Sequence, residues 1–349
     1  MNALRIEREV ELRARNTFRL PARAECFVEL DDPAGLESLR QQFPQGPTLV
    51  LGEGSNLLLT GDVPGLTLAP RFSGRELLVE ADRFRVRLMA GERWHAAVMW
   101  TLEQGVGGLE NLALIWGHCG AAPIQNIGAY GVELERFIDT VEVYDWQRGR
   151  VLRLRHADCA FGYRDSCFKR WPGAFVVLAI ELCLPRRWTP VLGYAGLDAR
   201  LITLFAGQPP TPARIAEAVM SLRREKLPDP HAMPNAGSFF HNPIVDAGLA
   251  LALLREWPGL PNWPQSDGRV KLGAAWLIEQ AACKGLSVGD AAVSSQHALV
   301  LVNRGRAVGA EVLGLMQEVQ ARVAARFGVQ LSPEPCLLPC RSAAATLGT

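Results

Sequence analysis

The chain has little lysine, no closely paired cysteines, no long apolar run and almost no net charge. Each shortage removes a class of function. Only four of its 37 basic residues are lysines (Lys169, Lys226, Lys271 and Lys284), and basic and acidic residues balance to +1. Such a balance draws the protein as a whole toward neither nucleic acid nor an anionic membrane, so any anion must be held by local placement. No apolar run approaches the ~20 residues of a membrane span. The opening MNALRIEREVELRARN is charged where a signal peptide would be apolar. A cytoplasmic protein is therefore expected, with neither a membrane nor a nucleic-acid partner. The 8 cysteines (Cys26, Cys119, Cys159, Cys167, Cys183, Cys283, Cys336, Cys340) form no CxxC pair. That spacing speaks for buried thiols and against a zinc site, and no metal is expected. A GxSxG nucleophile elbow is also missing, which disfavours a serine hydrolase.

What is present is a 349-residue chain with 48% hydrophobic residues and 33 glycines. That length suggests two or three domains, each able to bury a core. The first third alternates strands (ECFVEL, TLVLG, LLLT, LTLAP, FRVRLMAG) with helices (PAGLESLRQQF, ERWHAAVMWTLEQG) by hydrophobic period. VEVYDW, GRVLRLR and AFVVLAIELCLP read as further strands. The stretch GQPPTPA (207–213) marks a boundary near residue 208, and RIAEAVMSLRREKLP follows as a helix ending at Pro228. KLGAAWLIEQAAC and AEVLGLMQEVQARVAARFG read as helices, and HALVLVN and VQLSPE as short strands.

Six segments carry chemistry. LGEGSN (Leu51–Asn56: Leu51, Gly52, Glu53, Gly54, Ser55, Asn56) lets its glycines turn successive N–H groups into one concavity, a nest for phosphate oxygens. It lacks the last glycine of a dinucleotide fingerprint and runs into a strand, which argues against a Rossmann turn; an ordinary hairpin turn is the alternative. PIQNIGAYG offers the amides of Gln125 and Asn126, and Gly128, Ala129, Tyr130 and Gly131 bring main chain close to a flat ring. The alternative is a buried turn with satisfied amides. FGYRDS places Arg164 next to Asp165, either as a surface arginine paired with that carboxylate or as a guanidinium fixed by it and aimed at a substrate carboxylate or enolate. LRREKLPDP presents Arg223 and Lys226 at a helix end, as solvated charges or as a patch for a diphosphate. NAGSFFHNP surrounds Ser238, and SPEP holds Glu334 between prolines.

Together these segments, with NTFRLPARAE, GLENLALI and PNWPQSDGRVKLGAAWLIEQ, resemble the UDP-N-acetylenolpyruvoylglucosamine reductase family over nearly the whole chain. The resemblance implies an α+β fold: a vanillyl-alcohol-oxidase-type FAD-binding region of two subdomains (1–70 and 71–208) plus a C-terminal substrate-binding domain (209–349), whose last residues are free to return to the flavin region. It implies FAD and NADPH as cofactors and a UDP-N-acetylglucosamine enolpyruvate substrate. The reaction would be reduction to UDP-N-acetylmuramate for peptidoglycan, by a monomer. It places the catalytic groups on Arg164, Ser238 and Glu334, and flavin contacts on residues 52–56, 125, 126 and 128–131. Substrate contacts fall on Tyr194, Arg223, Lys226 and Asn242. PVLGYAGL resembles the tyrosine-bearing insertion of the longer form, which closes over the UDP-sugar. This chain departs from the family at Trp116, His118 and Cys119, where proline and small residues are usual, and at Cys336, where an arginine is frequent. Two rival readings remain: another oxidoreductase on the same flavin fold, and a flavin- or nucleotide-binding protein without turnover.

Overall fold

A computed structural model describes residues 4–194 and 196–339. Cys340, one of the expected thiols, lies outside them, as do Met1, Asn2, Ala3 and Ala195. The chain is mixed helix and sheet, and it packs as two compact units built from interleaved segments. Of the described residues, one takes those as far as Val10, then Ala24–Glu53 and Val63–Glu225; the other takes Glu11–Arg23, Gly54–Asp62 and those from Lys226 to Pro339. Packing thus divides the chain at Glu225/Lys226, beyond the proline-rich stretch. The helix Pro212–Lys226 is the reason, because Ile215, Ala216, Val219 and Leu222 are buried in the first unit's core.

The first unit contains two larger sheets besides the short hairpin Gly128–Ala129/Val132–Glu133. In one, Arg23–Leu30 and Leu49–Val50 both run parallel to Val63–Pro70. Parallel strands need crossovers, and Leu36–Gln42 supplies the helical one between the first two. The other is a five-stranded antiparallel sheet in the order Arg150–Arg155, Ile138–Asp145, Phe175–Pro185, Arg83–Met89, Arg75–Val79. Strand period 2 explains its two faces. Val86 and Leu88 are fully buried, while Arg85 and Arg87 between them reach Glu181 and Glu142 at 2.6 and 3.1 Å. The helix Trp94–Glu103 buries Trp94, Ala97, Val98 and Thr101, spaced i, i+3, i+4, i+7. It ends just before Gly105, whose φ of 73° follows the helix out.

The second unit has an antiparallel sheet in the order Asn235–Ser238, Val300–Asn303, Ala291–Val293, Ser287–Val288. The helix Gly309–Phe327 buries Val312, Leu315, Val319 and Val323 at helical spacing. Only glycine can begin this helix, since a Cβ on Gly309 would fall 1.9 Å from the Leu59 carbonyl oxygen. Two expected elements differ. KLGAAWLIEQAAC is not one helix: Val270–Leu272 pairs as a strand, Gly273 turns the chain at ψ 99°, and the helix is Ala274–Gln280. VQLSPE is not a strand, because only Pro333 makes a single bridge, to Phe240, and proline lacks the N–H to extend a ladder. Among the described residues no helix is long and apolar enough to cross a membrane, and no group of three His, Cys, Asp or Glu gathers to hold a metal ion.

Candidate active site

In the first unit the distinctive glycine-rich segment is a tight hairpin. Gly128 pairs with Glu133 and Ala129 with Val132, around Tyr130 and Gly131 at φ 49° and 82°. Two positive-φ residues in a two-residue loop match the right-handed twist of the flanking strands. FGYRDS closes as another turn through reciprocal Gly162–Asp165 main-chain bonds of 3.0 and 3.1 Å, with Arg164 at φ 55°. That turn aims Arg164 at the hairpin. Its guanidinium donates to the Asn126 carbonyl at 3.3 Å and the Gly128 carbonyl at 2.5 Å, and it stacks 5.3 Å from the Tyr163 ring centre. A carboxylate oxygen of Glu133 lies 4.0 Å from it. Asp165 does not fix this cation, contrary to the expectation from their adjacency. It pairs with Arg170 at 2.6 Å, because neighbours in a tight turn point apart.

Asn126 also differs from a free ring-edge donor. It is fully buried, at φ 44°; its amide oxygen accepts from the Glu135 N–H at 2.9 Å and its NH2 donates to the Gly162 carbonyl at 3.1 Å. The side chain therefore ties the hairpin to the arginine turn. Non-glycine residues at positive φ cost about 1 kcal/mol or more each, and they gather where a ligand site over-determines the backbone. Asn126, Tyr130 and Arg164 form such a group.

Around them, Tyr130 is buried and its hydroxyl is pushed up to about 12 by desolvation, so it stays a neutral donor. The ring of Tyr194, 43% exposed, meets it edge-on at 4.9 Å. Asn111 donates to the Tyr130 and Val191 carbonyls at 2.8 and 2.9 Å. Arg223 donates to the Leu114 carbonyl at 3.1 Å, and the Leu114 N–H donates to His95 Nδ1 at 3.0 Å. Burial, with Arg224 and Arg223 nearby, holds His95 below the usual histidine range. His95 and Asn111 had no signal in the sequence: each is one polar letter in an apolar stretch.

The LGEGSN loop is not a hairpin turn. Leu49–Val50 before it and Leu57–Leu59 after it join different sheets, with Val63–Pro70 and Cys336–Leu338 as partners. Gly52 and Glu53 belong to the first unit, Gly54, Ser55 and Asn56 to the second. Glu53 accepts from the Gly117 N–H at 2.8 Å and pairs with Arg93 at 3.1 Å, which pins the loop that carries Trp116, His118 and Cys119. Trp116 there is 37% exposed, while Cys119 is fully buried and desolvation drives its thiol far up, leaving it unreactive.

Two buried polar atoms in this region have no hydrogen-bond partner: Asn111 Oδ1 and His118 Nδ1. Buried polar atoms are rarely left unpaired in a native chain, so each is open to a polar atom of a ligand or to a water. These loops, with their glycines, amides and one fixed cation, fit a flavin nucleotide.

In the second unit, Ser238 and Glu334 come together through main-chain pairing. Phe239, next to Ser238, accepts from the Glu334 N–H at 2.9 Å, and the His241 N–H donates to Ser332 at 3.0 Å. Asn56 joins them, donating its amide to the Glu334 carbonyl at 3.3 Å and accepting from the Cys336 N–H at 2.9 Å. The approach to Ser238 is set by Asn235, which is buried. It donates to the Pro228 and Met233 carbonyls at 3.0 and 2.7 Å and accepts from the Gly237 N–H at 2.8 Å. Asn242 caps the helix Ala274–Gln280, accepting from the Ala274 N–H at 3.0 Å. Lys226 ends the helix Pro212–Lys226 and acts electrostatically on His297, which burial holds below the usual histidine range. His297 was not legible in the sequence either.

Comparison with known proteins adds the wider context. A family model described as FAD binding domain matches residues 34–155, and one described as UDP-N-acetylenolpyruvoylglucosamine reductase, C-terminal domain, matches 229–338. A UDP-N-acetylenolpyruvoylglucosamine reductase of Burkholderia multivorans is 47% identical over 345 residues, 97% of this chain and 98% of that one. One of Chromobacterium violaceum is 46% identical over 340 residues, covering 96% and 99%. The crystal structure of the Thermus caldophilus reductase superposes with a TM-score of 0.68 at 25% identity, covering 96% of this chain and all of that one.

Proposed function

The chain belongs to the UDP-N-acetylenolpyruvoylglucosamine reductase family, and from that premise we propose that it uses NADPH and FAD to reduce UDP-N-acetylglucosamine enolpyruvate to UDP-N-acetylmuramate in the cytoplasm. The observation that carries this reading is the guanidinium of Arg164, locked onto the carbonyls of Asn126 and Gly128 in the hairpin expected to meet the flavin. FAD, when bound, supplies hydride from N5 to substrate C3. Charge then builds on C2 and the substrate carboxylate. A cation fixed before the reaction meets that charge without reorganising, which is how preorganised donors lower a barrier. Ser238 gives its hydroxyl proton to C2, and Glu334, beside it through the Phe239 pairing, orients the substrate carboxylate.

The reading assigns the flavin to Gly52–Asn56 and to Gln125, Asn126 and Gly128–Gly131. It assigns the UDP-sugar to Tyr194, Arg223, Lys226 and Asn242, in a C-terminal substrate domain over 209–349. The two FAD subdomains are 1–70 and 71–208, and the enzyme acts as a monomer. One oxidised site serving NADPH and then the sugar nucleotide would give ping-pong kinetics.

An anaerobic titration tests this. The yellow protein should bleach with NADPH and regain its colour on adding the enolpyruvyl UDP-sugar. A flavoprotein that never bleaches is a binder without turnover, and one that recovers only with oxygen is an oxidase. Either outcome contradicts the proposal.

A further inference from the structure

His118 lies in the loop that Glu53 pins through the Gly117 N–H, and the proposed reaction does not use it. It is only 8% exposed. Its main chain bridges Arg93 in antiparallel fashion, the Trp94 N–H donates to Gly117 on one side at 2.9 Å, and the Cys119 N–H donates to Glu92 on the other at 2.8 Å. These bonds hold the backbone, so the ring stays inside. The imidazole packs on Gly52: a Cβ built there would lie 3.6 Å from both His118 Cβ and Nδ1. Nδ1 is buried and makes no hydrogen bond. Four charged groups act on the ring, Glu53 and Glu92 against Arg71 and Arg93, two of each sign. Burial dominates them and keeps the imidazole neutral, below its ordinary value.

We propose that His118 completes the diphosphate-binding part of the flavin site, and that seating the FAD diphosphate beside Gly52 is coupled to the uptake of one proton by the imidazole. This rests on the reading of LGEGSN as a phosphate nest. A neutral imidazole has one N–H, whereas its protonated form donates from both nitrogens. A buried charge persists only when a counter-charge is adjacent. The diphosphate is that counter-charge, and the surrounding side chains, already balanced in sign, do not cancel it. A small residue at this position offers no such coupling.

The test is equilibrium binding of FAD to the full chain freed of flavin, followed by flavin fluorescence between about pH 5.5 and 8.5. Between the free and bound imidazole values, affinity should rise as pH falls, by up to about tenfold per unit, and flatten outside that window. Calorimetry in two buffers of different ionisation enthalpy should read about one proton taken up in the same window. ADP-ribose, whose diphosphate is esterified at both ends like that of FAD and so does not titrate in this window, should show the same slope, and adenosine none. His118→Gln and His118→Ser should bind FAD with flat profiles. The wild-type proton count needs no variant, so a variant that fails to fold leaves the test intact. Wild-type binding that is tight and independent of pH, or an unchanged slope in His118→Gln, overturns this proposal alone. No FAD binding at any pH overturns it together with the phosphate-nest reading.

Discussion

Two glycine-bearing loops are candidate flavin contacts, and they are held in opposite ways. At Gly54 the side chain is missing because there is no room for one: a Cβ would lie 2.3 Å from the Arg15 carbonyl oxygen and 2.7 Å from Asn16 Cα, at φ 64°. In the hairpin, Gly128 clears space for a functional group, since a Cβ there would lie 2.7 Å from Arg164 Nη1. The first loop is fixed by packing against main chain, the second by hydrogen bonds to a cation. Damage to the first should therefore read out as stability, and damage to the second as chemistry.

The largest effect is expected at Arg164. Arg164→Ala should slow reoxidation of the reduced enzyme by the sugar nucleotide by roughly 10²–10³-fold, the usual loss for one preorganised donor. Thermal stability should change little. Arg164→Lys should rescue poorly, because an ammonium lacks the planar fork that spans two carbonyls. Gly54→Ala should follow, destabilising the protein by about 2–3 kcal/mol in a urea titration, from overpacking and left-handed strain together. Flavin reduction in whatever remains folded should be near normal. A stable but inactive Gly54→Ala would break the comparison.

Gly128→Ala should be milder, about a tenfold loss in kcat/KM, or ~1.4 kcal/mol, as the flexible arginine tip shifts to make room. Unchanged kinetics there would mean that the carbonyl contacts of Arg164 do not set its working position.

The smallest effect concerns Glu37, remote from both loops. Hydrogen bonds from Arg40 and Tyr144 hold its carboxyl down to about 2. A lowered folded value contributes stability above the unfolded value, near 4.5, that is lost as pH falls toward 2. Glu37→Gln should lower Tm slightly at neutral pH and flatten its fall on acidification, so that the difference from the wild type disappears as pH approaches 2.

Much of the first unit is legible because its signals are local. Alternation in FRVRLM gives a strand with buried Val86 and Leu88, and the i, i+3, i+4, i+7 apolar spacing from Trp94 gives a helix. The interleaving of the units is not legible, since it depends on pairings between distant residues. Thr17 and Asn235 exchange bonds of 2.7 and 3.1 Å, and Asn303 donates to Phe18 at 3.0 Å. Nothing within NTFRL announces partners more than two hundred positions away. Leu57–Leu59 likewise reads as a strand, but its partner Cys336–Leu338 does not.

At the site, residue types were readable and their partners were not. Arg164 and Asp165 look paired because they are adjacent, yet the turn sends them to Gly128 and Arg170. Asn126 looks like a ligand donor, yet the chain uses its amide to fasten two turns together. Propensity and spacing describe where a side chain starts, and tertiary packing decides where it ends.

The central claim is that Ser238 gives the proton to C2 after hydride reaches C3. Stopped-flow spectroscopy of Ser238→Ala, with each half-reaction started separately, tests it most directly. NADPH should bleach the flavin at close to the wild-type rate, while recovery with the enolpyruvyl UDP-sugar should slow by roughly 10²-fold or more, the range for losing a positioned general acid. Recovery at the wild-type rate would contradict the account.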